Sequence, residues 1–469
     1  MDEKEKTPGE LRREALFSQK KNGWDLVDTR TEEAIFAYGE DYKRFLNAAR
    51  TERLAVQAAV ALAEERGFRP FERGMYLNPG DRVYRVNRGK ALMLAVVGQS
   101  ALDQGAVIAA AHIDSPRLDL KPAPLFEDSE LAFFKTHYYG GVRKYQWVTI
   151  PLELHGVVAL KNGDMVEVSV GRDPADPKFT VSDLLPHLAA DQNKKTLGEA
   201  VPGEKLNLLI GSRPFPGEKG AERVKLAVLD LLNRKYGITE DDFFSAELEA
   251  VPAFDAVDVG FDRTIIGSYA HDDRVCGYAA LRALLDLESI PRRTAVCVLI
   301  DKEEIGSEGT TGMQSAAFDT FMSDLCDTQR VALKVCYERS LCLSTDVAAA
   351  FDPNYPEVFE KRNAARMNYG VGLCKYTGSR GKSGSSDASA EVVGYIRHIL
   401  DSKGVIWQMA ELGKTDQGGG GTVAKFMAER DIDTLDAGVP VLSMHAPFET
   451  VSKLDCWMTY AAVRAVYEA

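Results

Sequence analysis

Glu303 and Glu304 stand side by side in the stretch DKEEIGSEG, directly behind an apolar run from Thr294 to Ile300. Like charges repel, and the end of a buried strand gains nothing from two adjacent carboxylates with a third, Glu308, close behind. Either the stretch is a solvated loop, or positive charge sits opposite it. Four other places repeat the pattern. AAAHIDSP sets His112 and Asp114 just past an apolar run, and SYAHDDRV sets His271, Asp272 and Asp273 at a strand-to-helix turn. LCLSTDVAAAFDP sets Asp346, and GVPVLSMHAPFE sets His445, behind two more. Residues two apart in extended chain point the same way. A carboxylate at Asp114 can therefore take the second imidazole N–H of His112 and orient the ring, the usual support of a metal-binding histidine.

Each piece alone has an ordinary explanation. A lone histidine is commonly a core or surface residue, paired glutamates a solvated face, Asp-Asp before a helix a cap, and an Asp after a strand a turn. The weight lies in recurrence at the ends of strand-like runs, where ligand groups of open α/β sheets gather. Two imidazoles with three carboxylates suit a pair of hard or borderline dications, zinc most naturally. Beside two dications, one glutamate of the pair can bind metal while its neighbour holds and deprotonates a water.

The elements that must position these groups are legible as patterns. EEAIFAYGEDYKRFLNA and ERLAVQAAVALAEERG carry apolar residues at helical spacing. KALMLAVVG, GAVIAAAHIDSP and TAVCVLI read as strands buried on both faces, and RTIIGSYA as a further strand. DDRVCGYAALRALLDLES reads as a helix opening on aspartate. This alternation predicts an α/β sandwich. Between about 118 and 262 the texture changes. WVTIPLELHGVVALKNGDMVEVSVG alternates around the hairpin signal Asn162-Gly163, and VSDLLPHLAADQNKK and AERVKLAVLDLLNRKYG follow as expected helices. The expectation is an inserted α+β domain at 118–262, dividing a main domain into 1–117 and 263–469.

Composition sets the outer limits. The 469 residues are 45% hydrophobic and 27% charged, ordinary for a globular protein. The net charge of -13 argues against nucleic acid and anionic membranes as partners. No apolar run approaches the ~20 residues that span a bilayer, and the charged start MDEKEKTPGELRREALF lacks a signal-peptide core. The seven cysteines are scattered without a C-x-x-C pair and are expected to be reduced core thiols of a cytoplasmic protein. DQGGGGT at 416–422 lacks the strand–G-x-G-x-x-G–helix setting of a phosphate loop, and its glycines could let backbone approach a substrate.

Taken together, AAHIDSPRLDLKP, AHDDRVCGYAAL, DKEEIGSEGT, STDVAAAFDPNY, GSSDASAE and LSMHAPFET resemble the aspartyl aminopeptidase family, bacterial branch, of the co-catalytic di-zinc exopeptidase clan. The motifs run in the family's order over nearly the whole chain. The resemblance implies a three-layer α/β/α catalytic domain with a mixed, mostly parallel sheet, plus an inserted β-rich dimerisation domain. It implies two zinc ions per subunit, with cobalt or manganese as possible substitutes. His112 and Asp346 would hold one zinc and Glu304 and His445 the other, with Asp272 bridging. Glu303 would be the general base and Asp114 the residue orienting His112. His271 and Asp273 would be a turn residue and a helix cap.

The implied reaction is hydrolysis of the first peptide bond of a short peptide with an acidic N-terminal residue. An acidic side chain needs a cation in its pocket, and KYTGSRGKSGSSD offers Arg380 and Lys382, with Lys375 beside them. That loop departs from the pattern of the eukaryotic members, so a different or broad specificity stays open. The family assembles through the insert into dimers and tetrahedral dodecamers, a neighbour reaching into each site. His187 lies in the right region for that contact, with Asp191 the alternative position for the family histidine. His137 is unassigned, and His155 and His398 read as structural. The alternative from another class is a non-catalytic metal-binding scaffold, against which the retained Glu303 speaks.

Overall fold

The computed structural model describes residues 6–18 and 20–469. Its centre is a nine-stranded sheet in the spatial order Arg69–Pro70, Arg82–Asn87, Ala91–Val96, Thr294–Ile300, Ala106–His112, Leu341–Ser344, Asp433–Gly438, Val371–Cys374 and Trp407–Met409. The central neighbours Thr294–Ile300, Ala106–His112, Leu341–Ser344 and Asp433–Gly438 run parallel, while Ala91–Val96 and Val371–Cys374 join antiparallel. The strand AVIAAAH is buried along its whole length because both faces are covered. Val107, Ala109 and Ala111 pack into one apolar core with the helices Thr29–Ala48, Glu52–Glu65, His271–Leu285 and Lys453–Tyr467. Ala106, Ile108 and Ala110 point the other way, into a core built with Ala317–Gln329 and Leu333–Glu338. The result is the expected mixed, mostly parallel α/β/α sandwich.

A second, seven-stranded sheet uses only residues between 117 and 252, and every pairing in it is antiparallel. Asn162-Gly163 turns the hairpin joining Leu152–Ala159 to Met165–Val170, as expected. The helix expected from AERVKLAVLDLLNRKYG is Arg223–Tyr236, capped by Gly237 with φ 75°. The helix expected from VSDLLPHLAADQNKK does not form; only the single turns Pro186–Leu188 and Gln192–Lys194 do. Leu184, Leu185 and Leu188 are exposed, so the apolar spacing finds no surface to bury against, and Pro186 has no N–H to donate.

A third sheet was not foreseen. Val257–Val259, Ile265–Ser268, Glu449–Ser452, Pro440–Leu442 and Ala348–Ala349 make five short strands beside the central sheet. RTIIGSYA therefore contributes a strand, but not to the central sheet. Antiparallel pairing of Ser268 with Glu449 brings the start of helix His271–Leu285 next to the loop carrying His445. Among the described residues, no helix is long and apolar enough to cross a membrane.

Candidate active site

His112 ends its central strand, and Asp114 follows it into the loop. The His112 Nδ1 lies 3.0 Å from the Asp114 carbonyl and 3.2 Å from its Oδ1. Both partners only accept, so Nδ1 carries the proton and Nε2 faces inward. Asp114 is buried and receives more than one donor. Its Oδ1 also accepts from the Glu303 N–H (3.1 Å), and its Oδ2 from the Glu304 N–H (3.2 Å) and the Tyr139 hydroxyl (2.8 Å). Burial works against the charge, but His112, Tyr139 and the nearby Arg117 hold the Asp114 pKa below the usual carboxylate range.

Asp272 opens its helix with non-helical backbone, and its carboxylate sits between two imidazoles. Oδ1 is 3.1 Å from His112 Nε2, and Oδ2 is 3.0 Å from His445 Nε2. Glu304 Oε2 lies 3.5 Å from the same His445 nitrogen. Asp346, two residues past its central strand, lies 3.9 Å from His112 Nε2, as does Glu303 Oε2. The chain thus brings His112, Asp114, Asp272, Glu303, Glu304, Asp346 and His445 to one place. Donor atoms of His112, Asp272 and Glu304 lie within 4.8 Å of one another, as do those of His112, Asp273 and Asp346.

Asp273 does not cap the helix, as had been expected. It is fully buried, and neither of its oxygens has a hydrogen-bond partner. His271 is not a turn residue but a buried residue at the start of the helix. Its Nδ1 meets the Tyr42 hydroxyl at 2.9 Å and its Nε2 the Ile266 carbonyl at 3.1 Å. Two contributors had no signal of their own in the sequence. Glu449, wholly buried, accepts the Asp272 N–H at 3.0 Å and the His445 N–H at 2.7 Å. The Gly141 carbonyl accepts from His445 Nδ1 at 3.1 Å. The Glu449–Asp272 and Gly141–His445 contacts join segments far apart in the chain, which spacing cannot show.

The charges are out of balance. Burial and neighbouring carboxylates push Glu303 up to about 7, Glu449 up to about 8, and Glu304, Asp346 and Asp273 well above their usual range. His112 is buried and His445 half-buried, which favours the neutral ring, yet contacts with Asp114 and Asp272 raise His112 well above its ordinary value, and contacts with Asp272 and Glu304 raise His445 to about 10. Glu304 Oε1 is buried without a partner. Crowded carboxylates, unpartnered oxygens and two oriented imidazoles are a donor set that fits divalent cations.

No hydrogen bond or ion pair joins the remaining candidates to these groups among the described residues. Arg380 and Lys382 sit in the loop beside the two-stranded ribbon Gly378–Ser379/Gly419–Gly420. Lys382 pairs with Asp387 at 3.1 Å and lies over the Tyr376 ring, and Lys375 meets the same carboxylate at 3.2 Å. Arg380 has no ion pair among the described residues. The glycine run serves this ribbon: a Cβ on Gly418 would stand 1.7 Å from the Leu412 carbonyl oxygen, and one on Gly419 2.3 Å from that of Gly378. His187 is exposed on its turn, His137 is exposed, and His155 is buried against Glu153 and Ser169. All seven cysteines are free, six of them buried.

The family model for aminopeptidase I zinc metalloproteases, M18, matches residues 45–467. The chain belongs to the peptidase M18 family. It is accordingly a zinc-dependent aminopeptidase. The probable M18 family aminopeptidase 1 of Clostridium acetobutylicum is 48% identical over 452 residues, 95% of this chain and 97% of that protein. The crystal structure of the M18 aminopeptidase from Thermotoga maritima superposes with a TM-score of 0.92 at 46% identity, covering 96% of this chain and 99% of that one. Aminopeptidase I from Clostridium acetobutylicum gives 0.92 at 45% identity, covering 97% and 100%. Zinc is thus the cation that the family implies for this donor set.

Proposed function

We propose that this M18 aminopeptidase removes the N-terminal residue of short peptides at a two-zinc centre. His112 and Asp346 hold one ion, Glu304 and His445 the other, and Asp272 serves both. The observation that carries this reading is the Asp272 carboxylate, whose two oxygens face two separate histidines at 3.1 and 3.0 Å. A structural zinc site closed by four ligands has no need of such a shared carboxylate. When bound, the zinc pair supplies Lewis acidity that polarises the scissile carbonyl and acidifies a water.

Glu303 performs the proton transfers. Its Oε2 stands 3.9 Å from His112 Nε2, beside the proposed metal donors and within reach of a water there. Its carboxylate accepts the proton of the attacking water and delivers it to the departing amine. Asp114 fixes Glu303 through the backbone N–H at 3.1 Å and sets the ring of His112, so base and ligand share one support. Asp273 closes the back of the His112–Asp346 half as a buried carboxyl.

For substrate choice we propose an acidic N-terminal residue read by Arg380. Lys382 is already committed to Asp387, whereas Arg380 keeps its charge uncompensated. Broader specificity is the second reading, favoured by the exposure of this loop. We further propose that 118–262 is a dimerisation domain building dimers and a tetrahedral dodecamer. The exposed Leu184, Leu185 and Leu188 around His187 support a covered surface there, which a neighbouring site could share. Buried free thiols support a reducing, cytoplasmic setting.

A panel of aminoacyl chromogenic substrates, run on protein stripped of metal and reloaded with zinc, cobalt or manganese, tests the reading. Metal-dependent release led by Asp and Glu, and lost in Arg380→Ala, is expected. Release led by another residue overturns the acidic pocket, and light scattering at the mass of a monomer overturns the assembly.

A further inference from the structure

One arm of the seven-stranded sheet reaches both histidines that face Asp272, His445 directly and His112 through Asp114. That arm is the strand Leu131–Tyr139 with the two glycines that follow it. The Tyr139 hydroxyl donates to Asp114 Oδ2 at 2.8 Å, and Asp114 in turn accepts from His112 Nδ1. The Gly141 carbonyl accepts directly from His445 Nδ1, leaving His445 Nε2 turned toward Asp272. Gly140 passes so close that a Cβ there would stand 3.2 Å from Glu304 Oε2, and one on Gly141 would stand 2.9 Å from His445 Nδ1.

The arm is braced from behind. Tyr139 pairs with Arg117 across the sheet, and the Arg117 guanidinium lies 3.8 Å from the centre of its ring. Arg117 is itself buried, with Asp119 at 2.8 Å, Glu249 at 3.4 Å and Glu52 at 3.6 Å. Glu52 opens a helix of the central sandwich, so this charge cluster ties the arm to the sheet that carries His112. A tyrosine hydroxyl held this way has one acceptor within reach, and a carbonyl at the end of a strand has one donor. Neither group is free to turn elsewhere.

We propose that this arm orients both histidines of the metal centre, Tyr139 through Asp114 and Gly141 through its carbonyl, and that both are positioning residues for zinc. The inference deepens the two-zinc reading and rests on it. It gives the seven-stranded sheet a role at the centre of its own subunit, separate from any association. Partners of this kind change metal affinity by about 10–100-fold when removed.

The test is zinc binding, measured by competition with a chromophoric chelator, together with the cobalt absorption spectrum and the melting temperature of the metal-free protein. Wild type, Tyr139→Phe, Gly141→Ala and the neighbouring surface substitution Tyr138→Phe are compared. Tyr139→Phe keeps the ring under Arg117 and removes one hydroxyl. It is expected to weaken one of two zinc ions about tenfold or more with the metal-free melting temperature unchanged. Gly141→Ala is expected to weaken the other ion and alter the cobalt spectrum, and Tyr138→Phe to do neither. If wild type binds two ions and Tyr139→Phe binds both within threefold of it, the inference is overturned while the two-zinc reading stands. If wild type binds fewer than two, that reading falls and the inference with it. Should Gly141→Ala fail to fold, Tyr139→Phe decides alone.

Discussion

Glu449 is the residue whose replacement tells most about how the site is assembled. Its carboxylate is wholly buried and receives two backbone N–H groups, from Asp272 at 3.0 Å and His445 at 2.7 Å. These belong to the shared carboxylate and one of the histidines, which reach the site from the third sheet. Glu449→Gln keeps the shape but offers one acceptor oxygen in place of two. Its NH2 then faces a backbone N–H, and one buried donor is left without a partner, at a cost of about 1–3 kcal/mol. Metal-free protein can relax this by letting the His445 loop shift, whereas the zinc-bound form needs Asp272 and His445 in register. The cost therefore falls on zinc binding, as a loss of roughly 5–150-fold in affinity. Chelator competition measures it directly, with thermal melting of the metal-free protein as the control. A Glu449→Gln variant that binds zinc within threefold of wild type would refute the view that this carboxylate holds the two ligands in place.

Asp346→Ala removes a donor from one half of the centre only. It should lower zinc content after dialysis from two ions towards one, by elemental analysis. Glu153 is buried against Arg50 at 2.6 Å and His155 at 3.2 Å, joining the seven-stranded sheet to the main sandwich. Glu153→Gln leaves the buried Arg50 unpaired and should cost about 3–5 kcal/mol in urea unfolding. Asp455 is buried, which pushes its pKa up to about 8 despite two backbone N–H donors, from Asn368 and Gly370. A carboxyl raised in the folded state stabilises most at low pH, and that contribution fades as pH climbs from about 4 through 8. Asp455→Asn should therefore flatten the fall in stability between pH 5 and 8, read from denaturant midpoints.

The sequence made the central strands legible because strands covered on both faces are apolar without interruption, and AVIAAAH and TAVCVLI could be little else. The residues behind those strands, His112, Glu303, Glu304 and Asp346, converge because parallel neighbours end at the same edge. Asp272 and His445 converge for another reason, the pairing of Ser268 with Glu449 in a third sheet that strand patterns did not separate from the first. Gly141 and Glu449 act through contacts across 304 and 177 residues of chain and Tyr139 through one across 25, none of which local spacing encodes. The expected helix in VSDLLPHLAADQNKK failed because spacing reports an apolar face but not whether anything covers it. Asp273 looked like a cap because Asp before a helix usually is one; its burial follows from the fold around it.

The central claim is that Glu303 moves protons at a centre whose metal is held by other residues. Glu303→Gln tests it most directly, by zinc content and by release of the N-terminal residue on the same preparation. The account predicts unchanged zinc content and a loss of about 10²–10⁴-fold in kcat, the usual contribution of a general acid–base group. Hydrolysis within threefold of wild type would contradict it, and so would loss of zinc in step with activity, which would make Glu303 a ligand.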